Sequence, residues 1–263
     1  MMQTGFAYSR FADRLASVAE LSANDLDLLA KMPFSIGHFA SHDRIVRKGN
    51  WANCCCLLLQ GYLCWKDISS GGQITSIYVP GDVPDLHTLS SHRIEADLSA
   101  LGPVVVAFVP HAFFHEIASS SPGISRALSL LTLAEATALR NWIINLGTRD
   151  SLTRIAHLMC EIAFRLRAVG LAGEYGFPSP FTQSDLAAAC GISAVHANRI
   201  IQELRRRGLL RWQSRTITIT DWWGLVRLAG FRPDYLCLRD LAKLHGICEP
   251  SSEEVAPFRY AQP

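Results

Sequence analysis

Four hydrogen-bonding side chains, His196, Asn198, Arg199 and Gln202, fall within seven positions of the run "SAVHANRIIQELRRR". Arg forms two-point pairs with guanine edges, and Asn or Gln with adenine edges. Arg205, Arg206 and Arg207 come later in the run, where guanidinium groups suit phosphate contact or a solvated face better than base reading. The chemistry these residues offer is non-covalent recognition of a polyanion, with no nucleophile or acid–base pair in evidence.

Such side chains need a rigid element to aim them, and the flanking sequence supplies one. In "FTQSDLAAACGISAVHANRIIQELRRRGLL", Thr182 and Asp185 form a capping-box start for a first helix. Leu186, Ala189 and Cys190 share one face of it, and Ala187 is small where a neighbouring helix must approach. Gly191 can take positive φ and stop the helix. Ser193 then caps a second helix, whose inward residues are Ala197, Ile200, Ile201 and Leu204. This is the period of a helix-turn-helix. His196, Asn198, Arg199 and Gln202 are left facing outward, at the end of a recognition helix that enters the major groove. "GLLRWQSRTITITDW" reads as two strands around a Gln213-Ser214-Arg215 turn, a wing that brings Arg215 near a phosphate. Candidate DNA contacts are therefore Thr182, Gln183, Ser193, His196, Asn198, Arg199, Gln202, Arg206 and Arg215.

Charge agrees with that placement. The net charge of the 263 residues is only +2, but positions 181–232 carry eight Arg against three Asp or Glu. That local +5 leaves −3 for the remainder. A basic segment on a slightly acidic body is the electrostatic footprint of a polyanion-binding protein. With 49% hydrophobic and 18% charged residues, a packed core is expected and global disorder is not. No apolar run reaches membrane-span length, and the first residues lack the apolar core of a signal peptide. The eight cysteines follow no secreted-domain spacing, so a reducing cytoplasm is the expected compartment.

Upstream, the chain reads as three further zones. Residues 11–32 form an amphipathic helical lead-in, with Ser22 as N-cap. From Phe39 to His111, short β-branched and aromatic runs alternate with Gly and Pro, the pattern of an all-β barrel or sandwich. Two hairpins are expected there, turning at Gly61 and at Ser70-Gly71-Gly72. From Ser121 to about Val169 the pattern is helical, with Pro122 in the first turn. Leu128, Leu131, Glu135, Leu139, Trp142 and Leu146 follow steps of three and four, a seam that wants a partner helix. The apolar members, Leu128, Leu131, Leu139, Trp142 and Leu146, are candidate dimerisation residues, with packing on the chain's own β domain as the alternative. A break is expected near Leu146-Gly147, with Ser151 capping the next helix. "LAGEYGFPSP" reads as a connector.

Metal and redox chemistry find little support. Consecutive strand residues point to opposite faces, so Cys54, Cys55 and Cys56 cannot converge on one metal. His87, His92, His111 and His115 lie in or near the β zone without a metal-binding spacing, and "PHAFFHEI" reads as a short helix with surface histidines. The competing readings are a cupin-like metal-dependent enzyme and a DNA-binding protein that needs no effector. No cofactor and no metal are expected.

The order of parts resembles the Crp-Fnr superfamily of bacterial transcription regulators over residues 22–236. The likeness rests on "LLLQGYLCWKDISSGGQITSIYVPGD" and on the helix-turn-helix stretch above. It implies an α+β fold: an N-terminal β-roll, double-stranded β-helix or jelly-roll-like, over 1–120; a long dimerisation helix over 121–147; a winged helix-turn-helix over 148–238; and a tail over 239–263. It further implies a non-enzymatic homodimer on a palindromic operator of double-stranded DNA, with RNA polymerase as a further partner and no membrane. Arg199 matches the guanine-contacting position of the family. Ala194 and Val195 stand where many relatives carry a charged reader, so His196 and Asn198 take over part of that task.

In the roll, cyclic-nucleotide-binding members carry Gly-Glu soon after the "PGD" turn and Arg-Ser or Arg-Thr further on. Here the slots read Pro84-Asp85 and Ile94-Glu95. Pro84 removes an N–H donor and Glu95 repels phosphate, so no cyclic AMP site is expected. Gly81, Asp82, Asp85, Leu86 and Arg93 are the candidate pocket residues for an effector of unknown identity.

Overall fold

The computed structural model describes residues 2–67, 71–172, 176–179 and 181–239. The helical lead-in is two helices, α1 (Met2–Ala16) and α2 (Ala23–Leu29). Ser22 caps α2, and Asp25 returns the bond to the Ser22 amide at 2.8 Å. The segment 17–22 between them turns the chain while Val18 and Ala19 join the core.

Seven strands build the roll. β1 (Ser35–Phe39), β3 (Cys54–Gln60) and β7 (Val104–Pro110) form one sheet in the order β1-β7-β3. β2 (Arg44–Val46), β4 (Leu63–Asp67), β5 (Gln73–Tyr78) and β6 (Asp97–Ala100) form the other, in the order β2-β6-β4-β5. All pairings are antiparallel. Leu58, Leu63, Trp65, Tyr78, Leu98 and Val106 fill the space between them. Cys56 joins that interior while Cys55 packs on the outer core, as strand alternation requires.

The expected hairpin at Gly61 is instead a corner. β3 pairs with β7, whereas β4 pairs with β5 and β6, so the chain changes sheets there. Gly61 has φ +83, and a Cβ would lie 2.4 Å from the Pro103 carbonyl oxygen, which admits only glycine. The second hairpin, β4 to β5, forms; its Ser70 lies outside the described residues.

After the short α3 (His111–Ser120), α4 (Pro122–Thr148) runs for 27 residues. It does not break at Leu146-Gly147. The stop comes at Arg149, and Asp150 rather than Ser151 caps α5 (Ser151–Ala168), accepting from the Thr153 amide at 2.8 Å.

The rotation of α4 corrects the seam. Leu128, Leu131 and Trp142 are buried against the chain's own core, and Leu146 is half-buried. These side chains are already covered by other elements of the same chain. Of the five candidates only Leu139 is substantially exposed, at 39%. The apolar residues that α4 leaves in solvent are Leu133, Ile143 and Ile144, with Ile143 at 72%.

The C-terminal unit holds α6 (Gln183–Cys190), α7 (Ala194–Arg206), the strands β9 (Leu210–Gln213) and β10 (Thr216–Ile219), and a further helix, α8 (Trp222–Ala229). Part of the expected connector is also a strand: β8 (Gly176–Pro178) pairs with β10, making the sheet β8-β10-β9. Three residues are too few to show a period. The tail beyond Arg239 lies outside the described residues.

Candidate DNA-binding surface and sensor region

The helix-turn-helix is assembled by local chemistry. Thr182 and Asp185 form the reciprocal capping box of α6. Gly191 ends that helix at φ 61, ψ 40, and the Ser193 hydroxyl accepts the His196 amide at 3.2 Å to start α7. Ala197, Ile201 and Leu204 are buried beneath α7, and Ile200 is half-buried.

Asn198, Arg199 and Gln202 are exposed along one face of α7. Arg205, Arg206 and Arg207 are also exposed, and Glu203 holds Arg206 through two bonds of 2.8 Å and Arg207 through one of 2.7 Å. Such exposed pairs contribute little to stability and exchange readily for phosphate. Arg215 stands at the wing tip, where Ser214 (φ 47) and Arg215 (φ 64) form a two-residue turn between the paired Gln213 and Thr216. Gln183 and Ser193 are exposed. The Thr182 hydroxyl is occupied by Asp185, to which it donates at 2.7 Å.

His196 departs from the expected reading row. Its Nε2 lies 2.6 Å from the Ser151 hydroxyl, so the half-buried ring packs against the start of α5 instead of joining the exposed face. Val195, 66% exposed, stands in the row with Asn198 and Arg199, three and four positions on.

A residue not singled out from the sequence, Arg154, sets the position of this unit. Its guanidinium donates to the carbonyls of Asn145, Leu146 and Arg149 at the end of α4, and to Cys190 at the end of α6 at 2.5 Å. One side chain thus satisfies orphan carbonyls of two helices and joins them. The only local signal was an Arg one turn into α5, which fits a surface charge equally well.

In the roll, four of the five candidate effector residues, Gly81, Asp82, Asp85 and Leu86, are buried and held by the fold. Asp82 accepts from Arg14 Nε and Arg165 Nη2, each at 2.7 Å. Burial raises its carboxyl, but the Arg165 and Arg14 guanidiniums outweigh this and hold it below the ordinary value. Asp85 is fully buried and accepts from the Cys56 amide at 2.8 Å; burial pushes its carboxyl up to about 7. Gly81 has φ +99 against α1, and Leu86 is core. Arg93 is exposed and bridged to Trp51, so it does not join the other four. Where the second phosphate-binding residue would stand, Ile94 is buried, and Glu95 is exposed. The Trp65 indole donates to the Pro84 carbonyl at 3.3 Å and fills the interior.

A cavity of about 60 Å³ lies between the roll, α4 and α5, lined by Arg14, Tyr78, Asp82, Glu135, Trp142 and Arg165. Its polar groups satisfy one another: Tyr78 donates to Glu135, and Trp142 to Glu161.

His111 is buried, not at the surface, with Nε2 3.0 Å from the Thr88 hydroxyl. Among the described residues no three His, Cys, Asp or Glu side chains are placed to hold a metal. Nor is any described helix long and apolar enough to cross a membrane.

Known proteins share both halves of this architecture. A cyclic nucleotide-binding domain model matches residues 36–121, and a Crp-like helix-turn-helix domain model matches residues 153–228. The chain is 28% identical to the transcriptional activator protein FnrL of Cereibacter sphaeroides, over 60% of this chain and 64% of that protein. It is 24% identical to the anaerobic regulatory protein of Haemophilus influenzae, over 62% of this chain and 64% of the relative. Both matches therefore span just under two thirds of the relative's length. The solved structure of FixK2 from Bradyrhizobium japonicum has the same fold, with a TM-score of 0.68 and 20% identity over 76% of this chain and all of that one. With a cyclic-nucleotide-binding-type roll, a long connecting helix and a Crp-like winged helix-turn-helix in that order, the chain belongs to the Crp-Fnr superfamily.

Proposed function

We propose that this protein is a cytoplasmic transcription regulator that binds a palindromic operator as a homodimer. The observation that carries the reading is the exposed row Asn198, Arg199 and Gln202 on a helix whose other face is buried and whose start is capped. That row reaches base edges in a major groove, while Arg215 and the arginines after Gln202 meet phosphates. Selection of bound sequences from a pool of random duplex DNA tests it. Two inverted copies of a short motif, one or more helical turns apart, are the expected result. Recovery of unrelated sequences would reduce the protein to a non-specific polyanion binder.

Assembly is assigned to the uncovered face of α4. Leu133, Ile143 and Ile144 are apolar and exposed on a 27-residue helix that connects the two units. A second copy packing the same face removes these side chains from water. Ile143→Asp places a charge in that contact, at a cost of several kcal/mol per interface. Sedimentation of Ile143→Asp should give monomers; an unchanged dimer would move the interface elsewhere.

The roll acts without a cyclic nucleotide. Trp65, Tyr78 and Ile94 occupy its interior, Asp85 is already bonded to the Cys56 amide, and Pro84 has no N–H to give. Calorimetry with cyclic AMP and cyclic GMP is expected to show no micromolar binding. Such binding to either would overturn this part of the reading.

A further inference from the structure

Val195 is the one large hydrophobic residue that the described DNA-binding unit leaves well exposed, at 66%. The other exposed large hydrophobics lie on α4 or, for Trp51, on the roll. Local structure does not account for it. Val is a mediocre helix former, and an exposed helix position favours Ala, Lys or Glu. Packing does not account for it either, since the buried face of α7 is carried by Ala197, Ile201 and Leu204. Val195 is the second residue of α7, and Asn198, Arg199 and Gln202 follow at three, four and seven positions. It therefore leads the row that faces outward, at the end of the helix that goes deepest into a groove.

The major groove presents one apolar feature, the C5-methyl group of thymine. An aliphatic side chain on a rigid helix is suited to it, and the β-branch of Val holds both methyls in essentially one helical rotamer. We propose that Val195 reads a thymine methyl in each operator half-site, beside the bases contacted by Asn198 and Arg199. This rests on the reading of α7 as the recognition helix and adds to it a base identity. Where Arg199 selects guanine by hydrogen bonds, Val195 selects thymine over cytosine by removing a methyl from water, and a polar side chain there would not.

The test uses the selected operator with each half-site thymine replaced in turn by deoxyuridine. That change deletes the methyl and leaves pairing and O4 intact. Wild-type protein should show one position per half-site at which deoxyuridine weakens binding about fourfold, the equilibrium equivalent of ~0.8 kcal/mol for one buried methyl-sized group. Changing both half-sites should give roughly fifteenfold. Val195→Ser, similar in helix propensity, should bind thymine and deoxyuridine operators equally at that position, whereas Arg199→Ala should keep the difference. If no replacement affects wild-type binding while the operator is still preferred over a scrambled duplex, the assignment of Val195 fails and the recognition helix stands. A methyl effect that persists in Val195→Ser also overturns the assignment. No preference for the operator over scrambled DNA sinks both readings.

Discussion

Arg199→Ala should lower affinity for the operator by about 1–3 kcal/mol per half-site, the value of one bidentate Arg–guanine pair. In a symmetric complex the loss occurs twice, so roughly thirtyfold is the lower bound. Preference should relax at one base pair per half-site and nowhere else. Arg199 is exposed and no intramolecular ion pair engages it among the described residues, so its guanidinium is free to pair with a base. Arg206 differs, because Glu203 already holds it through two bonds. Arg206→Ala should weaken operator and scrambled DNA alike, by a small factor, and flatten the salt dependence. Titrations of both variants on both duplexes at two salt concentrations make the comparison. Equal weakening of both duplexes by Arg199→Ala would turn Arg199 into a phosphate contact and displace α7 from the groove.

The largest effect on stability is expected at Asp82. Its carboxylate lies between Arg14 of α1 and Arg165 of α5, and all three side chains are largely buried. Arg165 also donates to the Ile77 carbonyl at 2.7 Å, so the group fastens the roll to the N-terminal helix and to the helix that leads into the DNA-binding unit. Asp82→Ala leaves buried Arg14 without a carboxylate partner and leaves Arg165 only Glu161, at 3.4 Å, which costs about 3–5 kcal/mol. The lowered carboxyl fixes the pH dependence. Its contribution is present above the unfolded carboxylate value of about 3.9 and is lost as pH falls through the lower folded value. Urea unfolding should therefore separate wild type from Asp82→Ala at pH 7, with the gap closing below about pH 4. A difference under about 1 kcal/mol at pH 7 would mean that solvent compensates both arginines.

The helix-turn-helix was legible because its determinants lie within a few residues of one another. Thr182 with Asp185, Gly191, and Ser193 act through bonds of one turn, so their spacing states the geometry directly. The same locality made the β4–β5 turn readable. Locality also set the limits. A glycine turn looks alike in a hairpin and in a corner, and only the distant partner β7 decided that Gly61 changes sheets. Asp150 and Ser151 are both good caps, and neighbouring choices of one residue turn on where α4 actually ends.

What only the tertiary structure decided concerns faces and distant partners. The periodicity of α4 supports apolar stripes on two sides, and heptad steps do not say which is covered. The rest of the chain covers Leu128, Leu131 and Trp142, and Leu133, Ile143 and Ile144 stay exposed. His196 leaves the reading row because Ser151, 45 residues earlier, lies 2.6 Å away. Asp82 finds its arginines 68 and 83 residues away, and Arg154 finds Cys190 36 residues on. Short-range bonds write themselves into residue spacing because the chain between their ends has almost no freedom. Contacts across such separations depend on how every intervening element packs, and the spacing of their ends carries no trace of that.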